Sequence, residues 1–225
     1  LPRFHDLENQ GGDGLWAGRE LDETNHAAFV GRSGKHPFIK GRMVARFGMA
    51  EEPKQFVRRD GPKVPKSVAF HRIVWRDVSR PNQKRRLQAT VIPPGWVTGN
   101  SLHVAYYRDG DLERLHALLG IVNSLVFESQ ARAYLATGHV SLGVVRRVHV
   151  PDLSNKGIVG LLSEVVKRCI SGNPQAQVEA EVRVAEAYGL TRDEFAGVIE
   201  SFPKLTHEEK AELLDSKHWC NPNCS

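Results

Sequence analysis

The chain has 225 residues, with 31 Lys and Arg against 26 Asp and Glu, a formal net charge of +5 and 40% hydrophobic residues. That composition excludes a disordered chain and is enough for a real core, so a domain carrying a helical appendage is expected. No apolar run approaches the roughly 20 residues of a membrane-spanning helix, and Leu1-Pro2-Arg3-Phe4-His5 is not a basic region leading into an apolar one, so neither membrane attachment nor export is expected and the chain reads as a piece of a longer protein.

Residues 1–35 are rich in Gly and polar residues, broken at Gly11-Gly12-Asp13-Gly14, and read as a lead-in from an upstream domain. Residues 36–155 read as a β-rich recognition domain. Its runs Phe38-Ile39, Met43 to Phe47, Val68 to Arg76, Ala89 to Ile92 and His103 to Tyr107 alternate with Gly, Pro and Asn, and no long helix is expected among them. The same region holds the charge: Arg32 to Arg86 carries 16 Lys and Arg against Glu51, Glu52, Asp60 and Asp77, a local balance of +12, while residues 111–225 carry −3. Arginines interleaved with Phe38, Phe47, Phe56, Phe70 and Trp75 suit a folded surface that meets a polyanion, because a guanidinium grips phosphate or guanine through paired hydrogen bonds.

After Asp109-Gly110-Asp111, the spacing of Leu112, Leu115, Leu118, Leu119, Val122, Leu125 and Val126 predicts a central helix. Ala117, Gly120 and Ser124 line one side of it for close packing on a sheet, and Asn123 reads as a buried hydrogen bonder. Val140 to Val150 reads as a strand pair. Residues 156–225 read as a helical appendage, with helices over Ile158 to Ile170 and Ala176 to Tyr188 and two more opened by capping boxes at Thr191/Glu194 and Thr206/Glu209. The overall class is therefore α+β.

Chemistry is sparse. There is no phosphate loop ending in Gly-Lys-Ser/Thr, no His-Glu-x-x-His, no Gly-x-Ser-x-Gly and no Cys-x-x-Cys. Pro93-Pro94 lacks the preceding Asn or Asp of an amino-methyltransferase site and reads as a turn. Glu52-Pro53-Lys54 offers part of a magnesium nuclease motif without its Pro-Asp partner, so a nuclease fragment stands as one alternative and a protein-interaction module as another. Val184 to Thr191 followed by Arg192 to Glu200 has helix-turn-helix spacing, but the second helix is acidic and fits a plain helical hairpin better. Three cysteines, Cys169, Cys220 and Cys224, cannot staple a framework of this length and point to a reducing cytoplasm. His207, His218, Cys220 and Cys224 could sit near one metal, although their spacing is unlike that of closed zinc sites, and no metal is expected elsewhere.

Several stretches, in a shared order, resemble a known family. They are Glu20 to Asn25, His36 to Phe47, Arg72 to Arg80, Ala89 to Gly95, Leu118 to Ser124, Gly138 to Ser141, Val148 to Pro151 and Val184 to Thr191. Together they are similar to the TaqI-like target-recognition region of N6-adenine DNA methyltransferases of restriction–modification systems, including phage-defence enzymes and fused restriction enzyme–methyltransferases. The S-adenosylmethionine-binding glycine motif and the Asn-Pro-Pro-aromatic motif are absent. The resemblance therefore implies a specificity domain that binds double-stranded DNA, with no catalytic residue or cofactor in this chain. It also implies a partner methyltransferase domain upstream in the same protein, S-adenosylmethionine there, and Mg²⁺ if a nuclease is fused.

The basic surface and the resemblance together nominate residues for two jobs. Lys40, Arg42, Arg46, Arg58, Arg59, Lys63 and Lys66 are candidates for phosphate contacts, which set register. Arg80, Asn82, Gln83, Lys84, Arg85 and Arg86 are candidates for base reading from a loop, with Trp96, Asn100 and His103 as further contacts.

Overall fold

The computed structural model describes residues 1–136 and 138–219. Its strands, in chain order, are β1 (Leu15–Gly18), β2 (Val30–Gly31), β3 (His36–Ile39), β4 (Val44–Ala45), β5 (Gly48–Met49), β6 (Gln55–Val57), β7 (Arg72–Arg76), β8 (Ala89–Ile92), β9 (Val97–Thr98) and β10 (Leu102–Tyr107). The helices are α1 (Phe4–Glu8), α2 (Leu112–Val122), α3 (Leu125–Arg132), α4 (Leu142–Val145), α5 (Lys156–Ile170), α6 (Pro174–Ala187), α7 (Arg192–Glu200) and α8 (His207–Leu214). The class is α+β, as expected.

The main sheet runs β1-β10-β7-β8, antiparallel throughout, with Trp75 opposite His103 on one side and Ala89 on the other. Both of its faces are covered, which is why β7 and β10 read as near-continuous apolar runs. Ile73, Trp75, Ala105 and Tyr107 face the helices, meeting Leu118, Leu119 and Val122 of α2. Val74, Ile92, Leu102 and Val104 face the other way, onto Ile39, Met43 and Val44. The opening residues, expected as a lead-in, belong to this core. Phe4, Leu7, Leu15 and Ala17 pack on the helix side, β1 is the strand beyond β10, and the Phe4 ring meets Trp75 edge-on at 6.2 Å.

A second sheet, β2-β6-β3-β9, closes over Leu21, Phe38, Val57, Val68 and Val97. It is tied to the first by a fully buried ion pair. Arg72 donates to Glu20 at 2.7 Å and to the carbonyls of Pro93 and Trp96, while Glu20 also accepts from Ser67, the Thr98 hydroxyl and the Thr98 N–H. Burial lowers the Arg72 pKa, and Glu20 opposes the shift.

The central helix divides. α2 ends at Asn123, whose side chain exchanges two 3.0 Å hydrogen bonds with the backbone of Ala89, and Ser124 then caps α3. Gly120 serves helix packing rather than sheet packing, since a Cβ there would lie 2.7 Å from Val166 of α5. Between Val140 and Val150 the expected strand pair is absent. Ser141 caps the short helix α4, and the isolated bridge within this segment joins His149 to Arg3, with a second, His139 to Val78, just before it. The helices of residues 156–187 share the main core through Val159, Leu162, Val165, Val166, Ala180 and Val184. A separate cluster under α7 and α8 gathers Phe195, Ile199, Phe202 and Leu213 against Leu125 and Val126. Both capping boxes form as expected. Cys169 is buried, and burial pushes its thiol up to about 12. Among the described residues no helix is long and apolar enough to cross a membrane. The Cys220/Cys224 tail lies outside the described residues.

Candidate nucleic-acid interface

The second sheet raises a cationic rim. Its turns are fixed by backbone hydrogen bonds from Lys35 to Val57 and from Arg58 to Phe29, and they leave Arg32, Lys35, Arg58, Arg59, Lys63 and Lys66 exposed. Asp60 takes Arg58 in a two-point contact of 2.6 and 2.9 Å, but both side chains are solvated, so the pair is weak and exchangeable for phosphate. Lys40 lies apart, 3.3 Å from Glu23 and over the Phe38 ring.

Arg46 does not belong to this surface. The β4–β5 turn holds Phe47 at φ 59°, buries its ring, and carries the Arg46 guanidinium inward to Glu181 at 3.0 Å and to the Asn123 carbonyl. Burial and the neighbouring Arg85 bring its pKa down to about 10. Arg85 is likewise withdrawn from base reading. It donates to Glu128 at 3.1 Å, to Glu181 at 2.8 Å and to the Asn123 carbonyl, and pulling it outward would take one cationic partner from each of two buried carboxylates. Although burial opposes its charge, Glu181 and Glu128 raise its pKa overall. Arg86 is also buried, with its Nε donating to Ser79 Oγ at 3.0 Å. The cluster is completed by Arg132, which donates twice to Glu128.

A cleft of about 350 Å³ is lined by Gly41, Arg42, Arg76, Val78, Arg80, Gln83 and Ser101. It exists because two chain segments meet closely. The Gly41 N–H donates to Ser101 Oγ at 2.8 Å, and a Cβ on Gly41 would come within 2.9 Å of the Ser101 carbonyl. Arg42 projects into solvent, 3.9 Å from Glu51. Arg76 is partly fixed by the carbonyls of Val44 and Arg42, and burial lowers its pKa. Arg80 is exposed, and its backbone N–H donates to Gln83 Oε1 at 3.0 Å. Of the remaining loop candidates, Asn82 is exposed with its carbonyl bound by Lys204, and Lys84 pairs with Glu209 of α8 at 2.7 Å.

The further contacts expected from sequence have other work. Trp96 packs against the core behind the main sheet, and Asn100 bridges Glu23 and Asp22. His103 is buried under Trp75, its Nε2 3.0 Å from Asp77. Asp77 also meets His139 Nδ1 at 3.0 Å and Arg19 at 3.2 Å. Burial works against its charge, but hydrogen bonds from the two histidines prevail and hold the carboxyl below its ordinary value, whereas burial pushes His103 below the usual imidazole range. Arg76, Arg19 and this Asp77 cluster were not nominated from sequence.

Helix α7 buries Phe195 and Ile199 and opens with Asp193 and Glu194, which suits a packing helix. Glu51 and Glu52 are exposed, and among the described residues no three His, Cys, Asp or Glu are grouped to hold a metal ion.

No protein-family model matches the chain, and no curated protein matches it. Among solved structures it is similar to the Type IIL restriction-modification enzyme MmeI, determined in complex with DNA, with a TM-score of 0.48 and 11% identity over 88% of this chain and 34% of that one. It is also similar to a chain of a type I restriction-modification system, with a TM-score of 0.44 and 16% identity over 89% of this chain and 50% of that one. The chain thus spans about a third and a half of those two chains.

Proposed function

We propose that this chain is the double-stranded DNA recognition part of a restriction–modification enzyme, its target-specificity domain. The observation that carries the reading is the pairing of two basic features: exposed Arg58, Arg59, Lys63 and Lys66 along the segment that leaves the second sheet after β6, and the arginine-lined cleft around Arg42, Arg76 and Arg80. The rim suits phosphate, which fixes register, and the cleft with Gln83 suits base edges. On the family resemblance, the parent enzyme is an adenine-specific methyltransferase. Its S-adenosylmethionine site, and any Mg²⁺-dependent nuclease, lie in other parts of the longer protein. No step of that chemistry is assigned to residues of this chain.

The test is selection of duplexes from a randomised pool by the purified chain, followed by affinity for the winner and for a scrambled control across a salt series. A short enriched motif is expected. Arg59→Ala and Lys63→Ala should weaken all duplexes alike and each reduce the salt slope by about one, whereas Arg80→Ala should relax one base position at a cost of about 1–3 kcal/mol. Salt-insensitive behaviour or no binding would refute the reading, and Mg²⁺-dependent cutting lost in Glu52→Ala would replace it with a nuclease.

A further inference from the structure

A phosphate grip and a base-reading surface ask for different side chains. Phosphate rewards charge and hydrogen-bond donors, whereas the major-groove edge of an A·T pair also presents the thymine methyl group, which only an apolar side chain rewards. The cleft between Gly41 and Ser101 carries both kinds. Among its arginines and beside Gln83, Val78 leaves 57% of its surface exposed.

That exposure is built by the backbone. Past the end of β7, Asp77 and Ser79 turn inward and are buried, so the strand alternation turns Val78 outward. The segment is pinned on both sides. Asp77 N–H donates to the Ser101 carbonyl at 3.0 Å, Ser79 N–H to the Gly138 carbonyl at 2.7 Å and Val140 N–H to the Asp77 carbonyl at 2.6 Å, while Val78 itself bridges to His139. A β-branched side chain on a pinned strand has little rotamer freedom left to lose when a partner covers it. The amide of Gln83 is oriented as well. Its Oε1 accepts from Arg80 N–H at 3.0 Å, which leaves one lone pair of that oxygen beside the donor Nε2, the acceptor and donor pair that matches adenine N6 and N7.

Resting on the reading of the chain as a duplex-DNA binder, we propose that this cleft reads an A·T base pair. Val78 packs on the thymine 5-methyl group, Gln83 hydrogen-bonds the adenine, Arg42 holds an adjoining phosphate and Arg80 reaches the neighbouring base. A cleft that gripped phosphate alone would have no use for a rigid, exposed valine in its lining.

The test takes the duplex selected by the full chain and replaces each thymine in turn by deoxyuridine, which lacks the methyl group. One replacement should weaken the wild-type chain about fourfold, the worth of one buried methyl. Val78→Ala should weaken the thymine duplex by a similar factor and be indifferent to that same replacement. Gln83→Ala should relax the choice of base at the same pair. Val78 is exposed, so thermal melting of Val78→Ala should match the wild type and exclude a folding defect. A selected motif without an A·T pair, or a methyl effect that is absent or persists unchanged in Val78→Ala, would overturn this inference while leaving DNA recognition intact. Failure to enrich any motif or to bind DNA would overturn both.

Discussion

Glu128→Gln probes the buried arginine cluster most directly, because the change is isosteric and opens no cavity, so its cost is electrostatic. Glu128 accepts from Arg85 Nε at 3.1 Å, from Arg132 Nε at 3.0 Å and Nη2 at 2.7 Å, and from the N–H groups of Arg86 at 2.8 Å and Leu87 at 3.3 Å. All of these neighbours are donors. A glutamine offers one acceptor oxygen, and its amide nitrogen must face at least one of them. The charge balance also moves, from Arg46, Arg85 and Arg132 against two carboxylates to the same three against Glu181 alone. Removing one partner of a buried, hydrogen-bonded ion network costs about 3–5 kcal/mol. We expect about 4 kcal/mol, a large share of the roughly 5–15 kcal/mol that holds a typical domain together. Arg85→Met should cost less, about 2 kcal/mol, because it leaves Arg46 on Glu181 and Arg132 on Glu128 and fills the space with an apolar stem. Urea unfolding with an unchanged m-value measures both. The reasoning fails if Arg85→Met costs as much as Glu128→Gln, or if both stay under about 1 kcal/mol. Folded Arg85→Met should also keep the wild-type base preference.

Gly120→Ala gains about 1 kcal/mol of helix propensity but overlaps Val166, an overpacking cost of about 1–3 kcal/mol, so it should destabilise the wild type and stabilise a Val166→Ala background in thermal melts. Stability should fall with acid in two stages. Burial keeps the His103 pKa low in the folded chain, so its contribution is lost first, as pH drops below about 6.5, and His103→Gln should remove that stage. The native pKa values of Asp77 and Glu8 lie below the ordinary range, so their stabilisation is present at neutral pH and is lost as pH falls below about 4, which denaturant titrations at stepped pH will follow. Gly41→Ala should displace the Lys40 to Arg42 segment from Ser101 and weaken DNA binding, with little change in melting if the displacement stays local. Thr206→Ala should cost about 1 kcal/mol and speed hydrogen exchange in α8.

What was legible in the sequence was local. The capping boxes at Thr191 and Thr206 place hydroxyl and carboxylate three residues apart and need no distant partner, and both form. The pleated runs at Arg72 to Arg76 and Ala89 to Ile92 were legible from composition. Strand β1 was not, because four residues without clear alternation become a strand only by pairing with β10 about ninety positions later in the chain. Val140 to Val150 was misread because its valines favour strands, whereas the Ser141 cap and the packing of Val145 in the core select a turn of helix. The largest errors fell on cations. Lys84, Arg85 and Arg86 look alike in sequence, yet the carboxylates that draw Arg85 inward sit 43 and 96 residues away. Arg46 is turned inward by the left-handed backbone at Phe47, a conformation that no Gly or Asn announces.

The same inward arginines give the loop in front of them a property of its own. At its base, Ser79 and Arg86 are joined by a 3.0 Å hydrogen bond, Arg85 is anchored in the ion cluster, and Ser79 N–H is bound to Gly138. The residues between, Arg80 to Lys84, are mostly exposed; Lys84 and the Asn82 carbonyl reach the helical tail, and the Lys84 carbonyl accepts from Arg132 of the cluster at 3.1 Å. The stem is thus held largely by side chains outside the tip, which meets the cluster through the Lys84 carbonyl. A chain built this way can exchange the five tip residues, and with them the part of the cleft formed by Arg80 and Gln83, while the core packing behind them stays as it is.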